Sequence, residues 1–254
     1  MRKKGLPALM AVMVLAGAGG AFAAHPLITD DTGTQGKGRF QIELNAEFEH
    51  EDEDGLEEET KGLATIMSYG VLENVDLVFG IPYQSIRTKG EGATATETGL
   101  SDVSFEVKWR FYEKEGLSFA LKPGLSLPTG DDEKGLGAGK TAYSAFFIAT
   151  KEVEPWALHL NLGYIRNGNK ADEEEDLWHA SLAAQAEVLK NLNLVGNIGI
   201  EENADREADE HPAFILGGVI YSISENLDID FGIKAGLNDP EADYSVLAGL
   251  AWRF

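Results

Sequence analysis

The 254 residues carry 43 carboxylates against 21 lysines and arginines, a formal net charge of −22. Phosphate recognition needs clustered Lys and Arg, so nucleic acid is not an expected partner. The absence of cysteine removes disulfides, thiol nucleophiles and thiolate metal ligands.

At the start of the chain, Arg2, Lys3 and Lys4 precede an apolar stretch from Leu6 to Ala18, which gives way to Gly19, Gly20 and Ala21-Phe22-Ala23. That order reads as a secretory signal over residues 1–23, cleaved after Ala23. Pro7 and the glycines interrupt the run and argue against a spanning anchor. Nothing later resembles a transmembrane helix, so the exported chain is either soluble or inserted in an outer membrane as strands. Residues 24–38 read as a short N-terminal periplasmic segment.

From Arg39 the pattern turns to period two: Phe40, Ile42, Leu44, Ala46 and Phe48 alternate with Gln41, Glu43, Asn45 and Glu47. Further strand candidates are 62–69, 75–83, 100–111, 117–127, 141–150, 156–165, 177–189, 192–200, 213–223, 227–237 and 244–254, about twelve in all, an even number as in bacterial single-chain barrels. The facing of 141–150 and of 213–223 is ambiguous from pattern alone. In the last candidate Tyr244, Val246, Ala248, Leu250, Trp252 and Phe254 make one apolar face that ends on an aromatic residue, as a spanning strand does.

Connections between candidates alternate in length. Long acidic ones (50–60, 84–99, 129–140, 166–176, 201–212 and, shorter, 238–243) exchange with tight turns near Glu73-Asn74, Glu113 to Glu115, Glu152 to Glu154, Lys190-Asn191 and Glu225-Asn226. An up-and-down barrel sorts its connections this way, with short periplasmic turns at one rim and long extracellular loops at the other; a Greek-key sandwich has no reason to. Aromatics fall near strand ends, as two interfacial girdles require: Tyr69, Trp109, Trp156, Trp252 and Phe254 toward the tight turns, Tyr83, Tyr164, Trp178 and Tyr244 toward the long loops. The expectation is an all-β, transmembrane up-and-down antiparallel β-barrel over residues 39–254, in the outer membrane of a Gram-negative bacterium.

If the apolar set faces lipid, the intervening set lines the lumen. The candidate pore-lining residues are Arg39, Glu43, Glu47, Glu106, Lys108, Arg110, Lys122, His159, His179, Glu187, Asp230, Lys234 and Arg253. Placing the tight turn at Lys114 sets Glu106 across a hairpin from Lys122, within cross-strand reach. At about twelve strands the bore lies between a side-chain-filled barrel and an open porin, so a narrow, selective or plugged pore is expected. The acidic loops match no EF-hand spacing and read as solvated mouths, so no metal site is assigned. His179 and Ser181 lie two apart on one strand face, but no orienting acid or oxyanion donors can be named, and no catalytic residue is assigned.

Several phrases resemble the outer-membrane family named for a MetA pathway of phenol degradation: His25-Pro26-Leu27-Ile28-Thr29-Asp30-Asp31-Thr32-Gly33-Thr34, Gly80-Ile81-Pro82-Tyr83, Gly99-Leu100-Ser101-Asp102-Val103, Leu127-Pro128-Thr129-Gly130-Asp131, Asn161-Leu162-Gly163-Tyr164, and Gly217-Gly218-Val219-Ile220-Tyr221 through Asp228-Ile229-Asp230-Phe231-Gly232 to Phe254. The resemblance implies a porin-like transporter of small, aromatic or hydrophobic solutes. The alternative is a non-conducting surface barrel whose acidic loops bind cations, lipopolysaccharide or a partner. The expected partners are outer-membrane lipid and lipopolysaccharide, the barrel-assembly machinery through the terminal strand ending at Phe254, and a small solute; no cofactor is expected.

Overall fold

The computed structural model describes residues 25–53, 55–90 and 92–254. The signal sequence over 1–23 lies outside the described residues. Thirteen strand segments follow in order: β1 (Phe40–Glu53), β2 (Leu56–Leu72), β3 (Val75–Gly90), β4 (Ala93–Leu100), β5 (Val103–Lys114), β6 (Leu117–Leu127), β7 (Ala142–Val153), β8 (Trp156–Arg166), β9 (Asp176–Leu189), β10 (Leu192–Glu201), β11 (Ala213–Ser224), β12 (Leu227–Gly236) and β13 (Tyr244–Arg253). The pairings are antiparallel, β13 returns to β1, and β2 pairs with β3, so the sheet closes on itself. Closure gives each strand except β4, which pairs with β3 alone, a partner on both sides, which hydrocarbon demands because it offers no hydrogen bonds to an open edge.

The wall has twelve strands because β4 and β5 share one place. The upper part of β3, Tyr83 to Gly90, pairs with β4, and the lower part, Val75 to Gly80, pairs with β5. The break falls at Ser101-Asp102, inside the single strand expected over 100–111. There the Asp102 carboxylate accepts hydrogen bonds from the backbone N–H of Gly130 and of Ala138, both at 2.8 Å. The β6–β7 connection is thereby drawn into the gap, with Leu136 buried.

Inside and outside are exchanged relative to a soluble domain. Leu44, Leu121, Leu162, Leu194 and Phe231 stand exposed on the outer surface, while Glu43, Glu106, Lys122, Asn161 and Asn197 are buried. Alternation along each extended strand produces this division. Among the described residues no helix is long and apolar enough to cross a membrane.

Three expectations change. The connections at 50–60 and 84–99 are largely strand: β1 stays paired with β2 as far as Glu53 and Leu56, and β3 with β4 as far as Gly90 and Ala93. Opposite charges facing each other across β2 and β3, Lys89 on Glu57 at 2.6 Å and Arg87 on Glu59 at 3.2 Å, let these acidic hairpins continue beyond the membrane. The open facing of β7 and β11 resolves with Phe146 and Ile148, and Phe214, Leu216 and Ile220, pointing inward into two apolar clusters. Finally, residues 25–38 are not a free periplasmic segment. They run through the lumen, with Leu27, Thr29, Asp30 and Thr32 buried, because the inward face of the wall supplies partners for their polar groups.

Candidate pore and its N-terminal plug

The segment His25 to Gly38 has no helix or strand of its own, so its backbone groups need partners elsewhere. Strand amides and hydroxyls provide them. Asn197 on β10 accepts from the N–H of Ile28 and of Thr29 at 2.8 and 3.0 Å through Oδ1, and donates from Nδ2 to Thr29 Oγ1 at 2.7 Å. Asn161 on β8 clamps Asp30, accepting from its N–H at 2.8 Å and donating to its carbonyl at 2.7 Å. Thr150 on β7 accepts from Thr32 N–H at 3.1 Å, and Ser118 on β6 shares a proton with Thr32 Oγ1 at 2.5 Å. Lower down, Gln35 N–H donates to Asp76 on β3 and Gly38 N–H to the Gly70 carbonyl.

An ion cluster lies at the centre of the plug. Asp30 places one carboxylate oxygen 2.8 Å from Lys108 Nζ and the other 3.0 Å from Lys122 Nζ, and Lys122 also reaches Glu106 at 3.3 Å. Asp31 adds a longer contact to Lys108 at 3.4 Å. The Glu106–Lys122 pair expected across the hairpin therefore forms, with the plug's aspartate as its third member. Removing a partner from such a buried group strands an unpaired charge, which typically costs about 3–5 kcal/mol.

Packing completes the seat. Leu27 joins Val195, Phe214, Leu216, Ile220 and Leu247 in an apolar cluster. Pro26 lies over two glycines: a Cβ on Gly218 would come 2.8 Å from its Cγ, and one on Gly232 2.7 Å from its Cβ. His25 Nδ1 meets Asp230 at 2.5 Å above Gly249, where a Cβ would sit 2.5 Å from that nitrogen. Only glycine leaves room at these three places.

The other expected pore residues take separate stations. His159 is buried and contacts Thr150 Oγ1 at 2.9 Å. Lys234 bridges Glu49 at 3.3 Å and Glu241 at 2.7 Å. Arg253 pairs with Asp228 at 2.7 Å, and Arg110 with Glu113 near a periplasmic turn. Glu43 is buried on the lumen side, Glu47 lies partly buried two residues above Asn45, and Arg39 is exposed at the periplasmic mouth. Glu187 is exposed at that rim, accepting from the N–H of Asn191 in the turn, and takes no part in the lumen contacts.

His179 connects to more than the sequence suggests. Its Nδ1 lies 3.0 Å from Glu201 and its Nε2 2.9 Å from Ser181 Oγ, so an orienting acid does exist. Ser181 Oγ, however, is buried and accepts from Thr29 Oγ1 at 2.7 Å. The relay ends on the plug.

At the periplasmic rim Phe40, Tyr69, Trp252 and Phe254 form a continuous aromatic group, Phe40 lying 4.4 Å from Tyr69 and 5.7 Å from Phe254 between ring centres. Trp109 contacts Phe111 on the same side, and Trp156 projects outward there. At the extracellular rim Tyr244 contacts Phe48, Tyr83 and Tyr164 are exposed, and Trp178 donates from its indole N–H to Glu202. On the outer face of the β1–β2 hairpin, His50, Glu57 and Glu59 bring possible metal-ligand atoms within 4.8 Å of one another, but both carboxylates already hold Lys89 and Arg87. In the loops above the wall, burial raises the carboxyl pKa of Glu173 against the lowering effect of Asn167, and likewise that of Glu241 against Lys234.

One cavity borders the plug and another lies among the loops. The first, of about 690 Å³, opens toward the periplasm between the plug and the β1–β2–β3 wall. The other, of about 140 Å³, lies at the extracellular mouth and is lined by Ile86, Asp102, Leu136, Ala142, Asn167 and Glu173 among others.

Residues 23–254 match the family model described as "Putative MetA-pathway of phenol degradation". The chain belongs to this family. No match was found among curated proteins. In fold, this phenol-degradation family member is similar to the COG4313 outer membrane channel from Pseudomonas putida F1, at 14% identity and a TM-score of 0.71 over 88% of this chain and 98% of that one. It also resembles the KdgM porin, at 9% identity and a TM-score of 0.54 over 84% and 99%. The translocator domain of the autotransporter NalP from Neisseria meningitidis is a third, at 12% identity and a TM-score of 0.53 over 88% and 91%. The protein is thus a closed antiparallel β-barrel of the outer membrane.

Proposed function

We infer that the protein is a passive channel for a small solute across the outer membrane, held narrow by its own N-terminal segment. The observation that carries this reading is the lateral placement of the plug. From His25 to Thr32 its polar contacts run to β5 through β10 and to β12; it meets β2 and β3 at its lower end, through Gly38 and Gln35, and the space between it and the β1–β2–β3 wall is a cavity of about 690 Å³. A filler that served only stability would be expected to pack against every side of the lumen.

The lining bears on the solute. The family description points to small aromatic compounds, and apolar contacts for one are offered at the extracellular mouth by Ile86, Leu136 and Ala142. Deeper in, the cavity is walled by carboxylates, amides and lysines, which favour a polar solute because an apolar one gains nothing there and dehydrates the charges. Catalysis is not part of this reading, since the Ser181 hydroxyl is engaged by Thr29.

Outer-membrane lipid meets the exposed apolar belt. Lipopolysaccharide bridged by divalent ions at the acidic hairpins, and the assembly machinery at the strand ending in Phe254, are the further partners of this reading. A non-conducting barrel is the competing one, favoured by how thoroughly the plug is bonded. Single-channel recording of purified protein in planar bilayers decides between them: discrete conductance that grows when residues 25–36 are deleted supports the channel, and a silent bilayer with both proteins overturns it.

A further inference from the structure

We propose that the cavity beside the plug is a selective site for small hydrated cations, so that the channel passes cations in preference to anions. This rests on the channel reading above and adds the charge class of what passes. Three independent features of the cavity agree.

First, buried polar atoms facing it have no protein partner. Oδ1 of Asn45, Oδ1 of Asp76 and Oε1 of Glu106 are without one, although these side chains are only 5, 2 and 3% exposed. A buried polar atom without a partner typically costs about 1–3 kcal/mol, so native proteins rarely place several on one surface. All three are acceptors, and what acceptors need is a donor or a cation.

Second, the positive side chains lining the cavity are nearly all engaged. Lys108 and Lys122 hold Asp30, Arg253 holds Asp228, and His25 contacts Asp230. Arg39, exposed at the periplasmic mouth, is the exception for which no ion pair is described. On the acidic side, Glu43 and Asp76 face the same space with no ion pair among the described residues, Glu43 receiving the amides of Gln41, at 2.5 Å, and of Asn45, and Asp76 the Gln35 N–H. Apart from Arg39, the titratable groups left without an ion pair on this surface are therefore carboxyls.

Third, the acidic face continues upward. Above Glu43 and Asn45 the same side of β1 carries Glu47, Glu49 and Glu51, and β2 sets Gly62, Thr60 and Glu58 opposite them. Of the three β1 carboxylates, only Glu49 has an ion pair described, with Lys234. Thr60 Oγ1 is a further buried atom without a partner. Carboxylates spaced every second residue on β1, with Gly62, Thr60 and Glu58 beside them on the neighbouring strand, form a ladder along which a cation can move between sites while an anion meets repulsion at each. A cleft lined by one sign also concentrates its counter-ion by about tenfold or more.

The test is the reversal potential of single channels under a KCl gradient, for wild type and for the paired variant Glu43→Gln with Asp76→Asn. Wild type should show K⁺ permeability exceeding that of Cl⁻ by about tenfold. The paired variant should lose most of that preference, and Glu43→Asp with Asp76→Asn, which restores charge at one site, should regain part of it. Heat-modifiable migration on gels confirms that each variant is a folded barrel; should the paired variant not fold, Glu43→Gln alone is read instead. Conductance without cation preference in wild type would overturn the proposal and leave the channel intact. Cation preference unchanged in the folded variants would also overturn it, by moving selectivity elsewhere. Absence of conductance altogether would instead defeat the channel reading on which it rests.

Discussion

Phe40 and Phe254 exchange both of their backbone hydrogen bonds, at 2.9 and 3.0 Å, and stack their rings at 5.7 Å, joining the first residue of the first strand to the last residue of the chain. The barrel is therefore latched at the periplasmic end of its β1–β13 seam by the terminal side chain. Phe254→Ala keeps the backbone pair and removes the ring, forfeiting a contact worth about 1 kcal/mol and one interfacial anchor. The expected outcome is a lower midpoint in urea-gradient unfolding from vesicles, with wild-type conductance in the molecules that fold. An unchanged midpoint would show that the backbone pair alone holds the seam.

Asp30 is the most consequential side chain of the plug, since it alone neutralises parts of two buried lysines. Asp30→Asn leaves Lys108 with only the distant Asp31 and Lys122 with only Glu106. A loss of about 3 kcal/mol would shift the docked population more than a hundredfold. Single-channel recordings should show larger and noisier openings than wild type, and amide exchange at Thr29 and Thr32 should accelerate. Wild-type current with unaltered exchange would mean that the cluster does not govern docking.

The glycine floor can be tested without touching a charge. A side chain at Gly232 enters the space of Pro26, whereas Gly217 has nothing within 4 Å of where its Cβ would lie. Gly232→Val should unseat His25 and Pro26 and raise conductance, while Gly217→Ala should change neither current nor unfolding. Equal behaviour of the two would show that Pro26 is not a fixed part of the seat.

Glu173 gives a pH dependence confined to an extracellular loop. Burial raises its folded pKa above the ordinary 4.5, so the folded loop holds the proton to higher pH than the unfolded chain does. The stability it contributes is fully present below pH 4.5 and is lost as pH rises through the raised value. Amide exchange of residues 167–175 should therefore quicken from mild acid toward neutrality beyond the chemical rate. Glu173→Gln, which can still accept from Asn167, should remove that slope; a slope that persists in the variant would assign it to another group.

The wall was legible in the chain because hydrocarbon imposes one rule on every outward side chain. Leu44, Leu162 and Phe231 obey it, and the alternation of tight turns with longer connections made the up-and-down order of strands readable. The plug was not legible, because it has no period: Thr29, Asp30 and Thr32 are short polar residues that look like a linker until Asn161, Asn197 and Ser118 are seen to bond them. For the same reason β7 and β11 looked undecided, since Phe146 and Phe214 are inward-facing apolar residues with lumen clusters to join. The glycines at 218, 232 and 249 were the available signal, three residues without side chains on neighbouring strands, but in a barrel they read equally well as ordinary tight packing. The β4–β5 break escaped notice because Ser101 and Asp102 interrupt the strand only through what Asp102 binds in another loop.

The plug is continuous with β1 through Arg39, and that covalent link governs how long the bore can stay clear. A segment released from its seat remains at an effective local concentration in the millimolar range, whatever the protein's dilution. Recapture is therefore unimolecular, and lengthy clearance requires a competitor that occupies either the vacated amides of Asn161 and Asn197 or the loose N-terminus itself.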